Sequence, residues 1–297
     1  MRTETWIKQN AASLSDKTVA ISGSTGGLGS VLCARLAELG AGRLILLDRN
    51  ASKAEALKNA LTQRYPDLCV EIVLTDLSDM QSVRAAAQAL EKKPIDVLIC
   101  NAGAYAVPRY ITSSGLDNVF QINFAAPYYL MRRLTPQLRS RGGRVVLVGS
   151  VAHRYSCTDP HDVDFRTRDR ASLVYGNAKR YLMIAAPDTA AKVGLPIALT
   201  HPGIAVTGIT AHYPKCLYAL IKYPMKVIFM HPRRACLSIL RGVYEETQPG
   251  EWIGPRYFDV WGLPQKSRYD TYNAEEKARV CAEAERIYQM LAGEGTE

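Results

Sequence analysis

The sequence lacks the features that would place this chain in a membrane or in a disulfide framework. Its 297 residues contain no apolar run of about 18 residues, the length that a membrane-spanning helix needs. The N-terminal stretch is polar and carries acidic residues, unlike a secretory signal or a transit peptide. The seven cysteines are scattered, odd in number and never spaced CxxC, which argues against disulfides and structural zinc. We therefore predict a cytoplasmic protein without a metal site.

Internal repeats and low-complexity tracts are also missing, which excludes solenoids and long linkers. The formal net charge is +9, but no dense basic stripe is interleaved with aromatic residues. Nucleic acid is therefore not an expected partner. The basic surface instead suits a cofactor that carries phosphate.

Short apolar runs alternate with helix-like segments through the first 200 or so residues. This alternation is typical of βαβ units and of a parallel sheet covered on both faces. It predicts a Rossmann-type, doubly wound α/β fold with a core over about 17–207. The predicted strands cover residues 18–22, 43–47, 70–74, 95–100, 144–148 and 196–200.

The alternation lapses after residue 207, where we expect a helical lid and C-terminal helices over about 208–297. The lid candidate is Leu217 to Met230, which lysines and a proline interrupt. Its lysines could rest on an anionic membrane surface, but a helix packed on the protein is the preferred interpretation. A final helix is expected after Asn273, with Glu276 at the capping-box position. No linker is evident, so we predict one domain over residues 1–297.

A glycine-rich turn follows the first predicted strand, with the spacing Gly-xxx-Gly-x-Gly over Gly23, Gly27 and Gly29. Such a turn allows the backbone to approach a pyrophosphate, and the helix that follows directs N–H groups at the phosphates. Ser24 and Leu28 lie in the same turn. A purely structural glycine turn is the alternative interpretation.

Asp48 ends the second predicted strand, 19 residues after Gly29. A dinucleotide fold places an acid near this position, where it hydrogen-bonds the adenosine ribose. A carboxylate there repels the 2′-phosphate of NADP and favours NAD. The neighbouring Arg49 can pair with that phosphate, so NADP stays open as the second choice.

Tyr175 and Lys179 form a YxxxK motif on a predicted helix. Residues four apart share a helix face, and a nearby cation favours the phenolate and lowers the pKa of the phenol. Tyr175 is thus a candidate general acid and base. Ser150 follows the fifth predicted strand, at the sheet edge where such folds bind ligands. A surface tyrosine and lysine and a turn-capping serine are the alternatives.

These motifs resemble those of the short-chain dehydrogenase/reductase family, in the same order along residues 18–207. The glycine turn matches its TGxxxGxG motif, with Ser22 in place of threonine, and the tyrosine and lysine match its YxxxK. The resemblance implies a further set of cofactor residues. They are the adenine-contacting pair Asp76 and Leu77, the NAG motif Asn101, Ala102 and Gly103, and the segment Pro202, Gly203, Ile204 and Thr207, which would orient the nicotinamide carboxamide.

The resemblance also implies the roles of a catalytic tetrad made of Asn123, Ser150, Tyr175 and Lys179. The serine would hydrogen-bond the substrate oxygen and stabilise its charge. The asparagine would bend its helix and hold a water in a proton relay to the lysine. Ala205 departs from the family, which usually has valine there.

His153 and Arg154 after the serine, the FQIN sequence and His201 before the PG pair resemble the branch of retinol dehydrogenases and WW-domain oxidoreductases. That branch often handles bulky lipophilic alcohols, aldehydes or ketones. A loop-stabilising role for His153 is favoured over contact with substrate. Four tyrosines could line the pocket or simply pack: Tyr105, Tyr155, Tyr218 and Tyr223.

The sequence therefore predicts an NAD(P)-dependent oxidoreductase that interconverts an alcohol and a carbonyl on a bulky lipophilic substrate. One alternative is an NAD-retaining nucleotide-sugar epimerase or dehydratase, although the glycine spacing and the short C-terminal part argue against it. Another is a non-catalytic dinucleotide-sensing protein, against which the intact tetrad argues. The resemblance implies a homodimer or homotetramer.

Overall fold

One mixed sheet organises the part of the chain that the computed structural model describes, which is residues 3–204, 230–269 and 272–293. Its strands lie in the order β3-β2-β1-β4-β5-β6-β7-β8. The strands β1 to β7 are parallel to one another, and the last strand, β8, is antiparallel in its pairing with β7. The strands are β1 (Thr18–Ser22), β2 (Arg43–Asp48), β3 (Cys69–Leu74), β4 (Val97–Cys100), β5 (Arg144–Val148), β6 (Ile197–Thr200), β7 (Glu251–Tyr257) and β8 (Trp261–Arg268).

Helices cover both faces of the sheet, so the central strands are buried over their whole length. One face carries α4, α6, α7 and α9 around buried aromatic rings, and the other carries α1, α2, α3 and α8. The helices are α1 (Thr3–Asn10), α2 (Gly27–Glu38), α3 (Ala51–Arg64), α4 (Met80–Glu91), α5 (Asn118–Phe120), α6 (Ala126–Ser140), α7 (Ala171–Val193), α8 (Pro232–Gly242) and α9 (Ala274–Gly293); a π-helical turn spans Gln121–Ala125 and a 3-10 helix spans Val151–Tyr155.

The predicted Rossmann-type α/β fold is confirmed, and each of the six predicted strands is present to within two residues at either end. The sheet also continues beyond the expected core, to Arg268. Strands β7 and β8 were not predicted, because proline and glycine interrupt both and Pro255 pairs with Pro264. The expectation of only helices after residue 207 was therefore wrong.

The predicted lid, Thr207, Tyr218 and Tyr223 fall in 205–229, outside the described residues; Met230 alone of the lid is described. Among the helices that are described, none has both the length and the apolarity needed to cross a bilayer.

The final helix begins as predicted, because the Asn273 side chain accepts a hydrogen bond from the Glu276 N–H at 2.8 Å. The Glu276 carboxylate serves a different partner than the capping box predicts. It pairs with Arg180 of α7 through two contacts of 2.6 Å. This ion pair fastens the C-terminal helix to the helix that carries Tyr175 and Lys179.

The strand order changes direction between β1 and β4, since the chain runs outward to β2 and β3 and then returns to the other side of β1. In open parallel sheets the carboxyl ends of strands at such a point border a ligand-binding crevice. The glycine turn, Asn101, Ser150 and His201 each directly follow one of β1, β4, β5 and β6. The topology therefore brings the predicted site residues to one edge.

Candidate active site

The glycine turn is built for close backbone approach. Gly23 has φ +68°, and a side chain there would lie 2.9 Å from the Cα of Ala102. A side chain at Gly29 would strike the carbonyl oxygen of Gly23, whereas a side chain at Gly27 would meet no atom of the described residues within 4 Å. The N-cap residue of α2 is Gly26, which has no side chain to cap the first turn. Open space in front of uncapped helix N–H groups fits the binding of a pyrophosphate.

Asp48 lies at the end of β2, buried and turned toward the glycine turn. Its Oδ1 accepts hydrogen bonds from the N–H of Thr25 at 3.1 Å and from the Thr25 hydroxyl at 2.8 Å. Its Oδ2 accepts one from Ser24. The carboxylate thus fixes the turn from the side on which the adenosine ribose is expected. Arg49 beside it is exposed.

Asp76 and Leu77 follow β3, at the same edge of the sheet. The Asp76 carboxylate accepts hydrogen bonds from the N–H and hydroxyl of Ser78, at 2.8 and 2.7 Å. The Leu77 carbonyl accepts one from Gln121 Nε2 at 3.1 Å, and its side chain is buried. The structure thus places this pair one strand beyond Asp48.

Asn101 connects the end of β4 to the glycine turn. Its Nδ2 donates to the carbonyl oxygens of Ser22 and Gly23, at 3.0 and 3.1 Å. In return the Ser22 hydroxyl accepts the N–H groups of Asn101 and Ala102, both at 3.1 Å. Sequence reasoning noted Ser22 only as a replacement for threonine. The Ser22 hydroxyl links the glycine turn to the NAG motif. One signal for this role was present in the sequence, because serine carries the same hydroxyl group as the threonine that it replaces.

Asn123 lies in the π-helical turn Gln121–Ala125, completely buried. Its Nδ2 donates to the carbonyl oxygens of Ala104 and Val119 at 2.8 Å each, and its Oδ1 faces the Ala104 N–H at 3.3 Å. A side chain at Gly103 would lie 2.8 Å from Asn123 Oδ1 and 3.8 Å from Lys179 Nζ. The helix irregularity implied by the resemblance is present, and the Asn123 amide and the Lys179 ammonium both border the position of Gly103.

Lys179 is buried, and its Nζ donates a hydrogen bond of 2.8 Å to the carbonyl oxygen of Val148. Burial lowers the pKa of this ammonium to about 8, because the charged form is poorly solvated there. The lysine therefore exchanges its proton close to neutral pH.

Tyr175 is half-buried, and its ring centroid lies 5.7 Å from Lys179 Nζ. Burial raises the pKa of the phenol to about 12, and a hydrogen bond with Ser150 opposes that rise. The pKa of the phenol is thus raised, whereas the sequence predicted a lowered one, because desolvation is the largest effect. The ring of Tyr105 packs edge-on against Tyr175, with centroids 5.4 Å apart, so Tyr105 adjoins the reacting centre.

Ser150 begins the 3-10 helix after β5, and its Oγ accepts the Ala152 N–H at 3.2 Å. The ring Nδ1 of His153 lies 2.7 Å from the Ser150 carbonyl oxygen. His153 is buried between Trp252 and Tyr269, and burial lowers its pKa to about 4. These contacts agree with a loop-stabilising role for His153. Tyr155 is exposed.

The long segment between Ser150 and Tyr175 is packed against the start of α5. The Asp117 N–H donates to Asp164 Oδ2 at 2.7 Å, and Arg109 donates to the Phe165 carbonyl oxygen at 2.8 Å. On α7, Asn177 Nδ2 donates to the Val163 carbonyl oxygen at 2.8 Å. These contacts hold residues 163–165 against α7, the helix that carries Tyr175.

The loop after β6 holds the remaining predicted cofactor residues. His201 Nδ1 accepts the Gly203 N–H at 3.1 Å, and Gly203, after Pro202, has φ +73°. The Ile204 carbonyl oxygen accepts the N–H of Met230 at 2.8 Å. The structure thus brings this loop to the same edge as Ser150.

Proteins of similar sequence include members of the family that the motifs resemble. A family model of short chain dehydrogenases matches residues 17–159. Human retinol dehydrogenase 13 is 27% identical over 301 residues, which cover 95% of this chain and 87% of that protein. The human WW domain-containing oxidoreductase is 34% identical over 149 residues, or 49% of this chain and 35% of that protein.

Among solved structures, an uncharacterized protein from Mycobacterium paratuberculosis superposes with a TM-score of 0.73 and 25% identity, covering 95% of this chain and 96% of that one. The chain spans between 42% and 64% of the length of three fungal oxidoreductases that it also matches.

Proposed function

We propose that this chain belongs to the short-chain dehydrogenase/reductase family and that it interconverts an alcohol and a carbonyl with NAD or NADP. The observation that carries the proposal is the grouping of three side chains at one sheet edge. The Ser150 side chain lies near enough to Tyr175 to lower the pKa of its phenol, and Lys179 Nζ lies 5.7 Å from the centroid of the Tyr175 ring. A hydroxyl donor, an acid and a cation around one point are what proton transfer to or from a substrate oxygen requires.

In this proposal the dinucleotide lies across the carboxyl edge of the sheet. The glycine turn and the start of α2 hold the pyrophosphate, and Asp48 accepts hydrogen bonds from the adenosine ribose. The loop of Pro202, Gly203 and Ile204 borders the nicotinamide, for which Thr207 was also predicted. The buried carboxylate favours NAD over NADP, while the exposed Arg49 is the group that could accept a 2′-phosphate.

Tyr175 is the proposed acid and base. When bound, the nicotinamide donates or accepts the hydride. Since burial raises the pKa of Tyr175 to about 12, its phenol keeps its proton at neutral pH and donates it to a carbonyl oxygen. Ser150 hydrogen-bonds the same oxygen. Lys179, with a pKa of about 8, can return a proton toward the phenol, and Asn123 faces it from across Gly103.

The proposed substrate is bulky and lipophilic. The ring of Tyr105 packs against Tyr175, so one aromatic side chain flanks the proposed reacting centre. Human retinol dehydrogenase 13 carries in its name a substrate of this chemical class. A long apolar alcohol gains binding free energy from contact with such rings.

A turnover screen tests the proposal. The purified protein is mixed with NAD or NADP and with lipophilic alcohols, or with the reduced cofactors and the matching aldehydes and ketones. The absorbance of the reduced nicotinamide should change with at least one pair. Conversion of a nucleotide sugar without net change in that absorbance would instead favour an epimerase or dehydratase. Dinucleotide binding without turnover would favour a sensing protein.

The choice between NAD and NADP depends on the charge of Asp48. Asp48→Asn keeps an oxygen that can accept the Thr25 hydrogen bonds but removes the negative charge. The ratio of kcat/KM with NAD to that with NADP should fall about tenfold, because the repulsion of a 2′-phosphate is lost. Initial rates with both cofactors measure this ratio. An unchanged ratio would contradict the role given to Asp48.

A further inference from the structure

The turn between β7 and β8, residues 258–260, joins the two loops that flank the proposed reacting centre. Its Asp259 Oδ2 accepts a hydrogen bond from Arg154 at 2.7 Å, and its Oδ1 lies 3.6 Å from His201 Nε2. Resting on the proposed function, we propose that Asp259 is a positioning residue, which holds the loop of Ser150 and the loop of Gly203 in one arrangement.

The tautomer of His201 supports this connection. Because Nδ1 accepts the Gly203 N–H, the ring proton lies on Nε2, on the side of the Asp259 carboxylate. His201 is buried, with 1% of its side chain exposed, and 16% of the Asp259 side chain is exposed. The carboxylate therefore faces a fixed N–H on one loop and a guanidinium on the other.

Both loops also pack on one buried indole, Trp252. The His201 ring stacks on it with centroids 4.0 Å apart. The Arg154 guanidinium lies 5.3 Å over it, and the His153 ring meets it edge-on at 5.4 Å. His153 in turn contacts the Ser150 carbonyl oxygen. A displacement of the turn would therefore reach the reactive serine and the nicotinamide loop together.

The backbone of the turn is strained where this connection is made. Phe258 and Asp259, neither of them glycine, have φ values of +55° and +56°. A side chain at Gly203 would lie 2.6 Å from the Val260 carbonyl oxygen, so the turn rests directly on the loop after β6. Such conformations persist where the surrounding contacts determine them, and they concentrate at functional sites.

Kinetics of Asp259→Asn test the proposal. Asparagine tolerates the left-handed conformation and has nearly the same size, so the variant mainly removes charge. We expect kcat to fall about tenfold, since small displacements of reacting groups slow hydride transfer. The Kd for the dinucleotide should change less than about twofold, because Asp259 does not touch the glycine turn. The double variant Arg154→Gln/Asp259→Asn should be no slower than the slower single variant.

Asp159→Asn is the matched control. Asp159 pairs with Arg168 at 2.8 Å, and 44% of that arginine side chain is exposed, against 37% for Arg154. This control should keep the wild-type kcat. A wild-type kcat for Asp259→Asn, or independent effects of Arg154→Gln and Asp259→Asn, would overturn the proposal.

Amide hydrogen exchange tests the connection without any turnover. Asp259→Asn should raise exchange in residues 150–155 and in 201–204 together, while the Tm stays near that of the wild type. Faster exchange in only one of the two loops, or in neither, would overturn the proposal. If the wild type turned over no substrate, the proposed function would fail, whereas this measurement would still decide the connection.

Discussion

At the scale of one residue, the buried Lys179 lowers the stability of the fold and supplies a proton donor to the proposed site. Its ammonium is buried with the Val148 carbonyl oxygen as hydrogen-bond partner, and burial lowers its pKa to about 8. A buried cation costs free energy of folding, and no carboxylate among the described residues pairs with this one. The proposed role in proton transfer accounts for such a residue better than packing does.

Lys179→Met should therefore raise the free energy of unfolding at pH 7 by about 2 kcal/mol while abolishing turnover. The folded-state pKa of Lys179 lies below its ordinary value of 10.5, so the penalty is complete below about pH 8 and disappears as pH rises to about 10.5. The difference in stability between variant and wild type should shrink over that range. Denaturant unfolding at several pH values measures it.

The exposed Lys92 provides the control, since Lys92→Met should change stability by less than about 0.5 kcal/mol. A destabilised Lys179→Met protein would contradict the account of a costly buried charge.

At the scale of elements, the glycine turn contains one glycine that the fold requires and another that the proposed ligand requires. Gly29 packs on the Gly23 carbonyl oxygen, whereas a side chain at Gly27 points into open space. Gly29→Ala should lower the free energy of unfolding by about 2 kcal/mol, because the turn must shift. Gly27→Ala should keep the wild-type stability to within about 1 kcal/mol, yet weaken dinucleotide binding about tenfold or more. Thermal unfolding and fluorescence titration measure the two effects. Wild-type affinity in Gly27→Ala would contradict the pyrophosphate site.

The elements that sequence reasoning found are those with strong local patterns. Strands β1 and β5 each contain a continuous apolar run, and their predicted bounds agree with the structure. Strand β8, with Gly262, Pro264 and Lys266, has no such pattern, and it forms because β7 is already paired beside it. The π-helical turn at Asn123 was implied only by the resemblance, since a local alternation of residues does not encode it.

The same distinction between local sequence patterns and contacts made only in the folded protein applies to the site. Residues within motifs could be predicted, because each motif is short and continuous. The contacts among motifs could not, because they depend on the packed sheet. Ser22 bonding Asn101 and Asp259 facing His201 are examples. Whether the pKa of Tyr175 is raised or lowered also depends on burial, which the YxxxK spacing does not reveal.

At the scale of the whole molecule, the C-terminal helix α9 packs against α7, the helix that carries the proposed catalytic residues. Glu276 pairs with Arg180, the residue after Lys179, and Arg180 Nη1 also donates to the His153 carbonyl oxygen at 3.2 Å. Only 9% of the Arg180 side chain is exposed. The predicted homodimer or homotetramer, the single domain and the cytoplasmic location stay predictions.

Glu276→Gln should lower the free energy of unfolding by about 2–3 kcal/mol, because a neutral amide replaces the carboxylate that pairs with the buried Arg180 guanidinium. Glu283→Gln in the same helix is the control, since its partner Arg286 is 63% exposed; the expected change is below about 0.5 kcal/mol. Urea unfolding measures both. Equal effects of the two substitutions would contradict the supporting role of Glu276.

The central claim is that the Tyr175 phenol transfers the proton beside Ser150 and Lys179. The most direct test compares kcat and dinucleotide affinity of the wild type and Tyr175→Phe, using the substrate found in the turnover screen. We predict that kcat falls at least about 100-fold, while the Kd for the dinucleotide stays within about twofold. Full turnover by Tyr175→Phe would contradict the claim.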